Sequence, residues 1–336
     1  MSKLLKSVEP KWLIVGVFFV SGIFLGGISL YLWYGLANTA SYKIHPAESG
    51  YKFINPLLGV EFEQSGFFAV SKSIELKING IVDTEKKKGN ITDASVYYRD
   101  LEPGYWAGVN ENASFSPGKL LKVPLMIAYF KIAEGDPSVL EKKITNNLPE
   151  ITENYLFKPE KGIVRGQTYT VQELINLMIA HSDDEAANLL FDDIDKAALN
   201  EIFSDLGISF TEDKETSDFI SLKLYSLFFR VLHNATYLNR EYSEKALELL
   251  SSTNGGFGIW ASIPKEIPLI QKNSGRKYVI GKNIGYEVYD CGLVYYPDHP
   301  YLLCISAKGQ SLQNIEDFFK NISKEVYAET EFKYKI

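Results

Sequence analysis

Three stretches of the chain carry residue types whose spacing suits chemistry. The first is Phe115-Ser116-Pro117-Gly118-Lys119-Leu120-Leu121-Lys122-Val123-Pro124-Leu125-Met126, with two lysines three residues apart at the head of an apolar helix. The second is Met178-Ile179-Ala180-His181-Ser182-Asp183-Asp184-Glu185-Ala186-Ala187-Asn188-Leu189-Leu190. The third is Gln271-Lys272-Asn273-Ser274-Gly275, joined to a later strand through Tyr289-Asp290-Cys291-Gly292. A hydroxyl at a helix N-terminus gains from the positive end of the dipole as an oxyanion forms. A lysine one turn on shares its face and can take up its proton.

In order and separation these stretches resemble the motif set of the class A β-lactamases and the related penicillin-binding serine hydrolases, written S-x-x-K, S-D-N and K-T-G. The resemblance spans roughly residues 55–336 and implies acyl transfer. In such a site the serine of the second motif relays protons, and the lysine of the third binds the substrate carboxylate. The match implies that Lys122 is the motif lysine, which puts Lys119 where the family has its serine. An ammonium is a poor nucleophile, and loss of a serine nucleophile in subtilisin lowers the rate by about a million-fold. The resemblance therefore implies a pseudoenzyme that binds peptidoglycan or a cell-envelope partner. The alternative is an active hydrolase of β-lactams or D-alanyl peptides using Ser116 or a rearranged site.

Ser116-Pro117-Gly118-Lys119 is itself an S-x-x-K string. Against its use, Pro117 suits the first helical position, which makes Ser116 an N-cap. In the second motif Asp184 stands where asparagine is expected, and its charge would offset Lys119 beside Lys122. Ser182 and Asp183 also suit a plain capped turn between helices. The third motif is one residue longer than K-T-G. It makes Lys272, Ser274 and Gly275 candidate substrate contacts, with Lys282-Asn283-Ile284-Gly285 as a competing string. A groove carrying Lys119, Lys122 and Lys272 would hold an anionic peptide terminus by charge. Between Leu206 and Ser221, Glu212, Asp213, Glu215 and Asp218 form no E-x-x-L-N pattern and read as a solvated loop.

No cofactor is implied. His45, His181, His233 and His299 lack metal-ligand spacing and read as structural. The formal charge of -7 argues against a nucleic-acid partner. Cys291 and Cys304 flank the Pro297-Asp298-His299-Pro300 turn, either as buried free thiols or as a pair facing across a hairpin.

These groups need elements to position them. Apolar residues at helical spacing predict a helix over 67–85, ended by Lys86-Lys87-Lys88-Gly89, a run read as a solvated helix end. Strands are predicted at Ala94–Asp100 and Tyr105–Asn110, then a helical region from Pro117 to Leu250. Further strands follow at Leu269–Lys272, Glu287–Tyr295 and Tyr301–Ser306, and a closing helix at Leu312–Val326. This order describes an α+β fold, an antiparallel sheet flanked by helices with an all-helical subdomain inserted between its halves.

Ahead of the domain, Trp12–Ala37 carries no charge and exceeds the roughly 20 residues that cross a bilayer core. It is also longer than the roughly 7–15 apolar residues of a signal peptide. Lys3, Lys6 and Lys11 precede it, so the N-terminus is expected to be cytoplasmic. The reading is a cytoplasmic tail at 1–11, a transmembrane helix at 12–37, a tether at 38–54 and an extracytoplasmic domain at 55–336.

Overall fold

A computed structural model describes residues 51–55, 70–102, 104–148, 156, 161–209, 218–253, 258–280 and 283–335. The proposed membrane span and most of the tether lie outside them. No helix among the described residues is long and apolar enough to cross a membrane.

Five antiparallel strands form the main sheet: β1 (Asp93–Asp100), β2 (Trp106–Val109), β7 (Leu269–Ile280), β8 (Asn283–Val294) and β9 (Tyr301–Gly309), in the order β2-β1-β9-β8-β7. Alternation along each strand divides the sheet into two apolar faces. Val96, Tyr98, Val288, Leu303 and Ile305 join one core with α1 (Lys72–Lys87) and α8 (Leu312–Tyr334). Tyr97, Tyr289, Cys291, Leu302 and Cys304 face the other core, under the helical insertion. Cys291 and Cys304 are register partners on β8 and β9 and form a disulfide, so the facing-pair reading holds and the free-thiol reading does not.

The buried stripe of α1 is Ile74, Ile78 and Val82, one residue every turn, which leaves Leu76 in solvent. The helix starts at Lys72, later than its apolar spacing suggested, because Val70 is taken up in a bridge to Trp106. At its other end Lys87 and Lys88 are exposed, as a solvated helix end requires.

The insertion holds α2 (Lys122–Gly135), α3 (Val171–Ala180), α4 (Asp184–Asp193), α5 (Lys196–Asp205), α6 (Leu222–His233) and α7 (Arg240–Ser251). Almost all of the first half of α2 is buried, which explains a run apolar on every side. Two ribbons interrupt the helices: β3 (Ser114–Phe115) with β6 (Ile220–Ser221), and β4 (Lys143–Thr145) with β5 (Thr168–Thr170). The insertion is thus not all-helical as expected; these pairs are too short to leave an alternating pattern.

The end of the supposed tether is not free chain. Phe53 and Ile54 are buried in the core, and the Glu244 carboxylate accepts the backbone N–H groups of Lys52, Phe53 and Ile54. The Phe53 carbonyl accepts Tyr295 Oη at 2.9 Å and His233 Nδ1 at 3.1 Å. Burial pushes the His233 imidazole down to about 4, so it is neutral at pH 7, as a structural histidine should be. Glu244→Ala strands three backbone donors, two of them buried, and is expected to lower stability by about 2–3 kcal/mol in urea titrations; a loss within roughly 0.5 kcal/mol would reject the clamp.

Candidate active site

The site forms where the head of α2, the turn between α3 and α4, and edge strand β7 meet. A 3₁₀ turn, Gly118–Leu121, precedes α2 and carries Lys119, while Lys122 opens the helix proper. Gly118 has φ +47°, a left-handed backbone that glycine adopts without a Cβ clash. That turn delays the helix start, so Ser116 is not its N-cap, contrary to expectation. Ser116 is instead 3% exposed, a poor position for attack on an external substrate.

Across from this turn, the Asp183 carboxylate caps α4 by accepting Glu185 N–H and Ala186 N–H, and it also accepts Ile163 N–H at 2.7 Å. The capped-turn reading of the second motif is therefore correct for Asp183. Its neighbours do something else. Ser182 has φ +58°, an uncommon conformation for a residue with a side chain. It offers its carbonyl to Lys122 Nζ at 2.7 Å and its hydroxyl to Lys272 Nζ at 2.8 Å. Asp184 places one carboxylate oxygen 2.5 Å from Lys122 Nζ and the other on Lys119 Nζ.

Lys272 enters from β7 with its side chain fully buried. Its amine also donates to the carbonyl of Ile179 at 2.8 Å, with Met178 O at 3.4 Å, both near the negative C-terminal end of α3. Burial holds Lys272 well below the ordinary lysine range, and repulsion from Lys122 adds to this. Burial lowers Lys122 as well, opposed by Asp184. The cluster therefore contains two desolvated amines, one serine hydroxyl and one carboxylate that bridges two lysines.

All three predicted lysines, Ser182 and Asp184 converge, but not as an open cationic groove. Lys122 is 3% exposed and Lys272 is 1% exposed, with their amines committed to internal partners. Lys119, with a side chain 36% exposed, is the one of the three that reaches solvent. Ser274 and Gly275 follow on β7, Ser274 opposite Tyr289, whose ring stacks on Phe115 at 4.4 Å. Arg276 comes next, ion-paired at 2.6 Å to buried Glu287, which Lys308 also contacts at 3.0 Å. Sequence reading missed this ladder, because register alone brings the three residues together. The competing Lys282 lies outside the described residues, as do Glu212, Asp213, Glu215 and His45. Asp218 is exposed, as expected for a solvated loop. His299 stacks on Tyr334, and no group of His, Cys, Asp and Glu among the described residues could hold a metal ion.

Solved structures share this architecture. The acyl-enzyme complex of a PBP-A mutant with penicillin G is 20% identical, covers 79% of this chain and 99% of its own, and superposes with a TM-score of 0.63. A β-lactamase from Chitinophaga pinensis is 18% identical over 77% of this chain and all of its own, with a TM-score of 0.65. A β-lactamase from Sphaerobacter thermophilus is 18% identical over 76% of this chain and 97% of its own, at 0.63. No curated protein sequence matches the chain. The sheet with its flanking helices and helical insertion defines a β-lactamase-like fold. The sequence profile of the β-lactamase enzyme family matches residues 73–330, and the chain belongs to that family.

Proposed function

We propose that this chain is a membrane-anchored, non-acylating member of the β-lactamase family that binds peptidoglycan peptides or a cell-envelope partner outside the cytoplasm. One observation carries the reading. The residue one turn ahead of Lys122, in the 3₁₀ turn that leads into α2, is Lys119, and its ammonium is ion-paired to Asp184, which also pairs with Lys122. A protonated, paired lysine has no lone pair to offer a carbonyl carbon. Without the buried lysines as open charges, an anionic peptide terminus would meet Lys119 and Arg276 at the edge of β7.

Labelling with a fluorescent penicillin followed by intact-mass measurement tests this. The expected result is no covalent adduct, with reversible binding of muropeptides in the millimolar to micromolar range. A stoichiometric adduct would overturn it.

A second reading has its own support: acyl transfer through a rearranged site at Ser182. Its hydroxyl lies 2.8 Å from the desolvated amine of Lys272, the geometry of a serine with its base. An adduct abolished by Ser182→Ala but retained in Ser116→Ala would establish that reading in place of the first.

A further inference from the structure

The end of the sheet where the described chain begins presents a set of side chains that the site does not use. Phe53 packs edge-on to Tyr295 at 5.4 Å, and the turn that follows Tyr295 carries His299, stacked on Tyr334 at 3.6 Å. Lys333, beside it, lies 4.5 Å over the ring of Tyr105. Through these contacts Tyr51, Tyr105 and the C-terminal turn of α8 share one end of the molecule. Phe332 there is 81% exposed, a large apolar side chain in open solvent, and Tyr51 and Tyr105 are also exposed. Lys52, Lys333 and Lys335 are exposed around them, as are Glu102, Asp298 and Glu331.

We infer that this end of the domain, through Phe332, Tyr105 and Tyr51, docks on a lipid surface. The inference rests on the membrane-anchored reading above. Exposed aromatic side chains, tyrosine above all, are favoured at a membrane–water interface, and the charges around them balance, so the contact is with lipid as such rather than with anionic headgroups. The chain length fits as well. About a dozen residues separate Ala37 from Tyr51, a reach of at most about 45 Å even when fully extended. The Glu244 clamp fixes where that reach ends. The tip of the β7–β8 hairpin, where Val279 and Ile284 are exposed, lies about 36 Å away along β8, so bringing it to the membrane would take up most of that reach, whereas contact at this end takes up none of it. Three exposed aromatic side chains offer less area than the roughly 800 Å² per partner of a standard protein interface. A bilayer accepts a contact of that size.

The full chain, reconstituted in phospholipid nanodiscs containing nitroxide-labelled lipids, tests the docking. Cys291 and Cys304 are bonded and buried, so a thiol-reactive fluorophore reports a single introduced cysteine. Labels at Phe332→Cys and, separately, Tyr105→Cys are expected to be quenched at least two-fold more than one at Val279→Cys. Testing two positions guards against loss of a docking residue through labelling. Equal quenching at the two ends, or none at either in discs that retain the protein, overturns the docking. Failure of the chain to enter discs at all overturns the anchored reading instead.

Discussion

Asp184→Asn is expected to lower the stability of the domain by about 3 kcal/mol, among the largest losses of any single polar change at the site. Its carboxylate is the counter-charge to both Lys119 and Lys122, and Lys122 is almost fully buried. Removing one partner of a buried pair costs roughly 3–5 kcal/mol, because a desolvated charge is left uncompensated. We take the low end, since Lys119 is partly in water and its share is screened. Lys119→Ser alone keeps the Lys122–Asp184 pair and should cost under about 1 kcal/mol. Together the two changes leave one buried cation without its carboxylate rather than two neighbouring cations. The double variant should therefore be more stable than the sum of the singles by about 1–2 kcal/mol. Urea midpoints of the four proteins measure that coupling, and additivity within roughly 0.5 kcal/mol would refute it.

A pH effect of similar size is expected from Asp290. This residue is fully buried on β8, with one carboxylate oxygen accepting Ile259 N–H at 2.8 Å. The approach is so close that a Cβ on Gly258 would stand 2.0 Å from that oxygen. Burial pushes the Asp290 carboxyl up from 3.8 to about 7. The folded protein thus keeps the proton up to about pH 7, whereas the unfolded chain releases it near pH 4. Stability from this group is complete below pH 4 and is lost as pH rises toward 7, by roughly 4 kcal/mol at about 1.4 kcal/mol per unit. Asp290→Asn, an uncharged mimic of the protonated acid, should remove that slope and make the protein more stable than wild type at pH 8. Wild-type and variant denaturation curves that stay parallel from pH 4 to pH 8 would refute the assignment.

Both effects depend on three-dimensional relations that the sequence exposes unevenly. Asp184 was legible as a counter-charge to Lys119 because both depart from the same motif set at positions the resemblance brings together. The order of strands and helices was legible for a similar reason, since period-2 and period-3.6 patterns survive wherever one face is buried. Boundaries failed where burial stops: β7 and β8 run on as a two-stranded ribbon past Tyr286, where β9 ends and no apolar alternation marks the strands. Ser116 looked like a cap because Pro117 suits a first turn, but the glycine after it inserts a 3₁₀ turn instead. Lys272 could not be told from a surface strand lysine until its amine was seen between Ser182 and the end of α3. Nothing near Asp290 in the chain announces its burial, because the segment around Gly258 packs on it from about thirty residues away.

The bond between Cys291 and Cys304 has a use beyond holding two strands. Because both sulfurs are buried in the sheet, small reductants and alkylating reagents reach them only when the strands part. A chain held in the reducing cytosol would retain two thiols, whereas one that matured in an oxidising compartment would have none. Alkylation of denatured protein taken directly from cells would therefore turn this pair into a record of whether each molecule folded in a reducing or an oxidising compartment.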